Sequence, residues 1–212
     1  IGWNKNIYSI VSELQTGSTK APVVLLSPHS ESTVVRLFEE NGVQFDPRHV
    51  TIYEGSIYST ANIELLALEQ AKNIIIIGLE QEGEITKSEA AEQKDADIVV
   101  LKILLACTQI LNQKQEKGIA RPKDDKITIV AAVHSEKNAK LLRSGIPTYN
   151  TRDKALFSLQ VVDVEDILSR CLVQATLQPQ LVDVFSELFS YEYDASRQER
   201  DNSIEVYIIP IL

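Results

Sequence analysis

The sequence has no methionine, only two cysteines, and no unbroken apolar run of the roughly 18–20 residues that a bilayer crossing needs. The lack of such a run argues against a membrane-spanning segment. Basic residues are also in deficit: 21 Lys and Arg stand against 30 Asp and Glu, for a net charge of −9. That balance excludes nonspecific binding to nucleic acid or to an anionic lipid surface, both of which require a positive field. Cys107 and Cys171 fall singly on the apolar faces of predicted helices, and buried thiols of a reduced, intracellular domain are the expectation. The chain opens at Ile1-Gly2-Trp3 with neither Met nor a signal peptide, so a fragment of something longer is expected. The absence of methionine has no evident physical reason.

What is present is a regular alternation of short apolar runs and amphipathic stretches. Hydrophobic residues make up 44% and charged ones 24% of 212 residues, enough for one buried core with or without an appendage. Ile7, Ile10, Val11 and Leu14 repeat at helical spacing, as do Val34, Val35, Leu37 and Phe38, the latter ended by Asn41-Gly42. Apolar runs at 23–26, 50–53, 74–77, 127–133 and 159–162 read as strands, with helices at 62–68 and 96–113 between them. Ile74, Ile75, Ile76 and Ile77 are four β-branched residues in succession. Because strand side chains alternate, such a run must be covered on both sides, which is the habit of parallel sheets flanked by helices. The helix at 96–113 is apolar nearly all round and is expected to be buried. The alternation predicts an α/β fold, a Rossmann-like doubly wound parallel sheet whose ligand crevice lies at the carboxyl ends of the strands.

The last third differs. Asp163, with Asp166 three residues on, is placed to cap a helix carrying Val164, Ile167, Leu168, Cys171, Leu172 and Ala175 on one face. Pro179 breaks it, and Leu181, Val184, Phe185, Leu188 and Phe189 mark a second helix. A polar stretch at 194–203 leads to a final apolar strand at 204–212. The reading divides the chain into a Rossmann-like lobe at 1–163, a helix-Pro-helix interface arm at 164–192 and, at 203–212, the start of a following lobe. A helical hairpin packed on its own domain is the other arrangement this periodicity allows.

The expected nucleotide motif is degraded. A dinucleotide fold ends its first strand in G-x-G-x-x-G, and here the matching stretch is Gly2-Trp3-Asn4-Lys5-Asn6-Ile7. Only the first glycine remains. The acidic residue that would hold an adenine ribose is replaced by Ser27-Pro28-His29. No H-x-x-x-H, C-x-x-C, G-x-S-x-G or D-x-D-x-D-G pattern supplies another catalytic or metal site. The three histidines, His29, His49 and His134, are isolated; His134 follows a strand and faces the crevice, as a ligand contact or a plain turn histidine. The acidic residues Glu80, Glu82, Glu84, Glu89, Glu92, Asp95 and Asp97 read as a solvated loop rather than as ligands for a hard cation.

Several segments in order resemble the regulator-of-potassium-conductance (RCK) domain. They are Ile52-Tyr53-Glu54-Gly55-Ser56, the helix through Asn62-Ile63-Glu64, and Gln70-Ala71-Lys72-Asn73 leading into the isoleucine run. Ile129 to Leu142, with Asn138-Ala139 inside, is similar to the family's fifth strand and following helix, and Leu177-Gln178-Pro179 to the junction before its swapped helix. Gly2-Trp3-Asn4 and Ile10-Val11-Ser12-Glu13-Leu14 look most like the Castor and Pollux branch. The resemblance implies no enzyme but a cytosolic ligand-sensing domain that gates a potassium or related cation channel or transporter. It implies homo-oligomers, dimer pairs closing into an octameric ring, set beneath a transmembrane pore domain on the same or a partner chain, on the cytoplasmic side of the membrane. Nucleotide and Ca2+ are the ligands it suggests, and Gly2, Trp3, Asn4, Ser27, Gly55, Ser56 and Gly78 are the residues expected to line the cleft. Ser56 stands where many relatives carry Asp. The rival expectation is an NAD(P)- or nucleotide-dependent Rossmann enzyme fragment, such as a dehydrogenase, with Glu54 and His134 as the residues available for proton transfer.

Overall fold

The alternation of the isoleucine run is realised in the packing of its side chains. In the computed structural model, which describes residues 1–16, 22–79, 89–119, 126–145 and 156–189, Ile74 and Ile76 enter one hydrophobic cluster while Ile75 and Ile77 face another. The elements follow as α1 (Asn6–Thr16), β1 (Val23–Ser27), α2 (Glu31–Glu40), β2 (Val50–Glu54), α3 (Thr60–Glu64), β3 (Asn73–Ile76), α4 (Glu89–Glu116), β4 (Ile127–Val133), α5 (Glu136–Gly145), β5 (Phe157–Asp163), α6 (Val164–Leu177) and α7 (Leu181–Phe189). The fold is therefore α/β. β1 and β2 pair in parallel, Val23 opposite Val50 through Ser27 opposite Glu54, and β3, β4 and β5 form a second parallel sheet in that order.

Residues 1–3 extend beside β3. The Ile77 amide donates to the Ile1 carbonyl at 3.0 Å, the Ile1 nitrogen donates to the Ile75 carbonyl at 2.8 Å, and Trp3 bridges Leu79 in parallel. This short piece occupies the place of the strand expected ahead of Gly2.

The larger cluster joins α4 (Val100, Ile103, Leu104, Cys107, Leu111) to β4 (Ile127, Ile129, Ala131, Val133), with Leu26, Ile63 and Leu142 contributed from β1, α3 and α5. The smaller one joins α1 and α2 (Ile7, Val11, Val34, Phe38) to Leu25, Val50 and Ile77 around Trp3. Each such side chain contributes about 1.5–3 kcal/mol when fully withdrawn from water. Local signals agree with these placements. Ser30 caps α2 by accepting the Thr33 amide, and Asp163 caps α6 by accepting that of Asp166 at 3.0 Å, as its spacing predicts.

Three expectations need revision. The helix expected over 62–68 is shorter, because Ala67 takes a left-handed conformation (φ 49°) between α3 and a 3-10 turn at Leu68–Gln70. Second, α4 is not covered all round: Ile98, Lys102, Leu105, Gln109 and Gln113 form an exposed stripe. Its Ala96–Glu116 portion is long and apolar enough to cross a membrane by length and composition, yet half of it is packed inside the fold, as a core helix would be. Third, Asp97 is no loop residue but lies buried in α4. Glu89, Glu92 and Asp95 fall in the same helix, whereas Glu80, Glu82 and Glu84 lie outside the described residues.

α6 leaves the sheet directly from β5 and buries none of its side chains. Leu168, Leu172 and Leu177 are 57%, 59% and 70% exposed, and Ile167, Val173, Val182 and Val184 are likewise open. The expected strand and polar stretch at 194–212 lie outside the described residues, as do residues 190–192 of the arm.

Candidate ligand crevice

Within each sheet the parallel strands end on the same side, and the turns that follow them carry the residues singled out from the sequence. Gly2 has φ +113°, and a Cβ there would sit 2.0 Å from the Ile77 carbonyl oxygen. Only glycine lets the backbone lie this close to β3. Asn4 then starts α1, its Oδ1 accepting the Asn6 amide at 3.0 Å and its carbonyl the Ile7 amide at 3.0 Å. Trp3 is buried, its ring meeting the edges of Tyr8, His29 and Phe38 at centroid distances of 6.1, 5.0 and 6.4 Å. It thus ties the first turn to the end of β1 through His29.

At that end Ser27 is fully buried. Its Oγ accepts the His29 amide at 3.0 Å, and its carbonyl accepts the Gly55 amide at 2.9 Å, fastening the β1 and β2 turns together. Ser56 follows in the open: its Oγ accepts the Tyr58 amide and its carbonyl accepts Asn62 Nδ2 at 3.2 Å. A Cβ on Gly55 would come within 2.6 Å of that same Asn62 nitrogen, so the glycine admits the amide. Gly78 plays a comparable part beyond β3, where a Cβ would stand 2.9 Å from that of Ala96. The structure thus brings Gly2, Trp3 and Gly78 together around the end of β3, and Ser27, Gly55 and Ser56 together around the ends of β1 and β2, with Trp3 and His29 linking the two groups.

Sequence reasoning missed the residue that organises the far side. The Asp97 carboxylate, 1% exposed, accepts Asn138 Nδ2 at 2.7 Å, the His134 amide at 2.8 Å and the Ser135 amide at 3.1 Å, with His134 Nδ1 a further 3.3 Å away. It fastens the start of α4 to the turn between β4 and α5 and satisfies amides at the amino end of α5. The signal was available: Asp97, Val100, Leu104, Cys107 and Leu111 share one helical stripe, the buried one.

The donor set does not fit a pyrophosphate held in the usual dinucleotide manner. The Asn6 and Ile7 amides, which would face such a group at the head of α1, are taken by Asn4. Ile7 occupies the third glycine position and packs into the smaller cluster. Among the described residues no group of three or more His, Cys, Asp or Glu side chains is placed to hold a metal ion. Cys107 is no nucleophile, since burial pushes its thiol up to about 12. No family model matches the chain, and no match is found among the curated proteins.

Proposed function

We propose that the chain is a cytosolic sensing domain of the RCK type, which binds a small ligand in the crevice and gates a potassium or related cation channel or transporter. In this reading β1–β2, residues 1–3 and β3–β5 make one parallel layer with helices on both faces. Leu25 and Ile77 share one cluster while Leu26 and Ile76 share the other, which supports that continuity. The seam between residues 1–3 and β3 is then the switch point of the sheet, where ligands of open α/β folds bind.

The observation that carries the reading is the uncovered apolar arm. Seven Leu, Ile and Val side chains on α6 and α7 stand about half exposed or more, a cost that pairing with a second copy removes. Ligand binding that favours one arrangement of such pairs shifts the population of the assembly, with about 1–3 kcal/mol of coupling per site. The test is sedimentation and light scattering of the chain with Leu168→Glu and Leu172→Glu together. A dimer or larger ring that dissociates to folded monomer on this change supports the assignment, and a wild-type chain that is monomeric at high micromolar concentration overturns it.

A further inference from the structure

We propose that the arm of each copy seats on the outer surface of α4 and α5 of a second copy, with Leu168, Leu172 and Glu165 laid against Ile98, Leu105, Leu141 and the lysines around them. The inference rests on the self-association proposed above and names the surface that receives the arm.

The arm needs more than one covering. α6 is open to solvent nearly all round, with only Val164, Cys171 and Ala175 half-buried. Val173 and Leu177 are exposed as well, and each stands about 140° round the helix from Leu168 or Leu172, five residues earlier. One arm laid against another covers one of these faces and leaves the other in water. Two arms also repel. Their described side chains carry Glu165, Asp166 and Asp183 against Arg170, which already donates to Asp166 of its own helix at 2.9 Å.

A surface of the opposite character lies on the body. α4 and α5 are joined by Asp97 and Asn138 at 2.7 Å and bury Val100, Leu104, Ala139 and Leu142 in one cluster. Facing outward from the same two helices are Ile98, Leu105 and Leu141, each about half exposed. The exposed charged side chains among them are Lys102, Lys137, Lys140 and Arg143, with Glu136 paired to Lys140. In a chain of net charge −9 this is a basic island, and it complements an acidic arm. The two surfaces are also neighbours. Arg170 of α6 lies within electrostatic range of Glu136, the first residue of α5, so each arm leaves its own body beside the surface that receives the partner's arm. A two-fold axis there lets both arms cross at once, each onto the body the other has left.

The experiment cross-links the full chain with a short bismaleimide in a Cys171→Ser background, where the remaining Cys107 is buried. Leu141→Cys is placed in copies with one affinity tag and Leu168→Cys in copies with another, and circular dichroism checks that each keeps the native fold. The expected product is a covalent dimer carrying both tags. Ile98→Cys in place of Leu141→Cys gives the same product, and the exposed Tyr53→Cys on β2 gives none. Without cross-linker, Lys137→Glu weakens association about fivefold, and adding Glu165→Lys to the same chain recovers most of it. If Leu168→Cys copies link to one another but never to Leu141→Cys, the pairing proposed above stands and this docking is overturned. A doubly substituted chain that links positions 141 and 168 only within one copy, or association indifferent to Lys137→Glu, overturns it equally. A wild-type chain that is monomeric at high micromolar concentration overturns both.

Discussion

Asp97→Ala is the substitution expected to cost the fold most for the fewest atoms. It strips the acceptor from Asn138 Nδ2 and from the His134 and Ser135 amides, and opens a small hole beneath the β4–α5 turn. Hydrogen bonds to a charged group contribute about 1.5–3 kcal/mol each, which puts three of them at about 4.5 kcal/mol or more before relaxation. His134 and Ser135 are only half-buried, so water reaches their freed amides and returns part of this. The net expectation is about 3 kcal/mol, or a fall in Tm of about 6–12 °C for a domain of this size. Asp97→Asn is nearly the same shape but turns an amide donor toward donors, and so loses about 2 kcal/mol. The assay is urea unfolding followed by circular dichroism, with Asp166→Ala as a control at the exposed amino end of α6. Asp97→Ala within 1 kcal/mol of wild type, or Asp97→Asn indistinguishable from it, would refute the claim that this carboxylate organises the turn.

Other substitutions separate conformational from steric effects. Gly2→Ala combines a positive φ with a 2.0 Å approach to a carbonyl and should cost more than about 3 kcal/mol; Gly118→Ala, at φ +86° with open space around it, should cost only the conformational share of about 1–2 kcal/mol. Their unfolding midpoints differ if the contact with Ile77 is real and coincide if it is not. Under native conditions a thiol reagent should modify Cys171, which is partly exposed, and spare Cys107 until the chain unfolds; mass spectrometry of the labelled peptides decides this. The Arg48 side chain, then its amide, then His49 hold the Asp46 carboxyl below its usual range. A depressed folded pKa stabilises above the unfolded value of about 4 and loses that effect as pH falls through the folded one. Asp46→Asn should therefore be less stable than wild type at pH 7, with the gap closing in strong acid, and a gap that widens on acidification would contradict the assignment.

Much of the fold was legible because its strongest elements obey one rule at a time. β4 begins and ends where its apolar run does, and Asp163 caps α6 as its spacing implies. α4 shows where a rule misleads. Its acidic first turns, Glu89-Ala90-Ala91-Glu92-Gln93-Lys94, are good helix formers, but composition made them look like a solvated loop and hid Asp97 among its neighbours. The short α3 was not legible, because nothing in Leu66-Ala67-Leu68 announces a left-handed alanine. Of the crevice residues, Gly2 and Gly78 carry visible steric reasons for being glycine. Trp3 was read as a lining residue on its place in a motif, and a motif alone does not reveal that its ring turns inward against Tyr8, His29 and Phe38.

Asp163 belongs to two elements at once, the last residue of β5 and the cap of α6, with no residue between strand and helix. That shared residue leaves no joint there. α6, about 21 Å long, behaves as a rigid lever keyed into the sheet, and a 5° tilt of β5 would carry its far end about 2 Å. The first place where the arm can bend independently is Gln178-Pro179-Gln180, where the helix has ended and α7 has yet to begin. A proline that stiffens or a glycine that loosens those three positions would thus change how α7 follows the sheet without altering how α6 does.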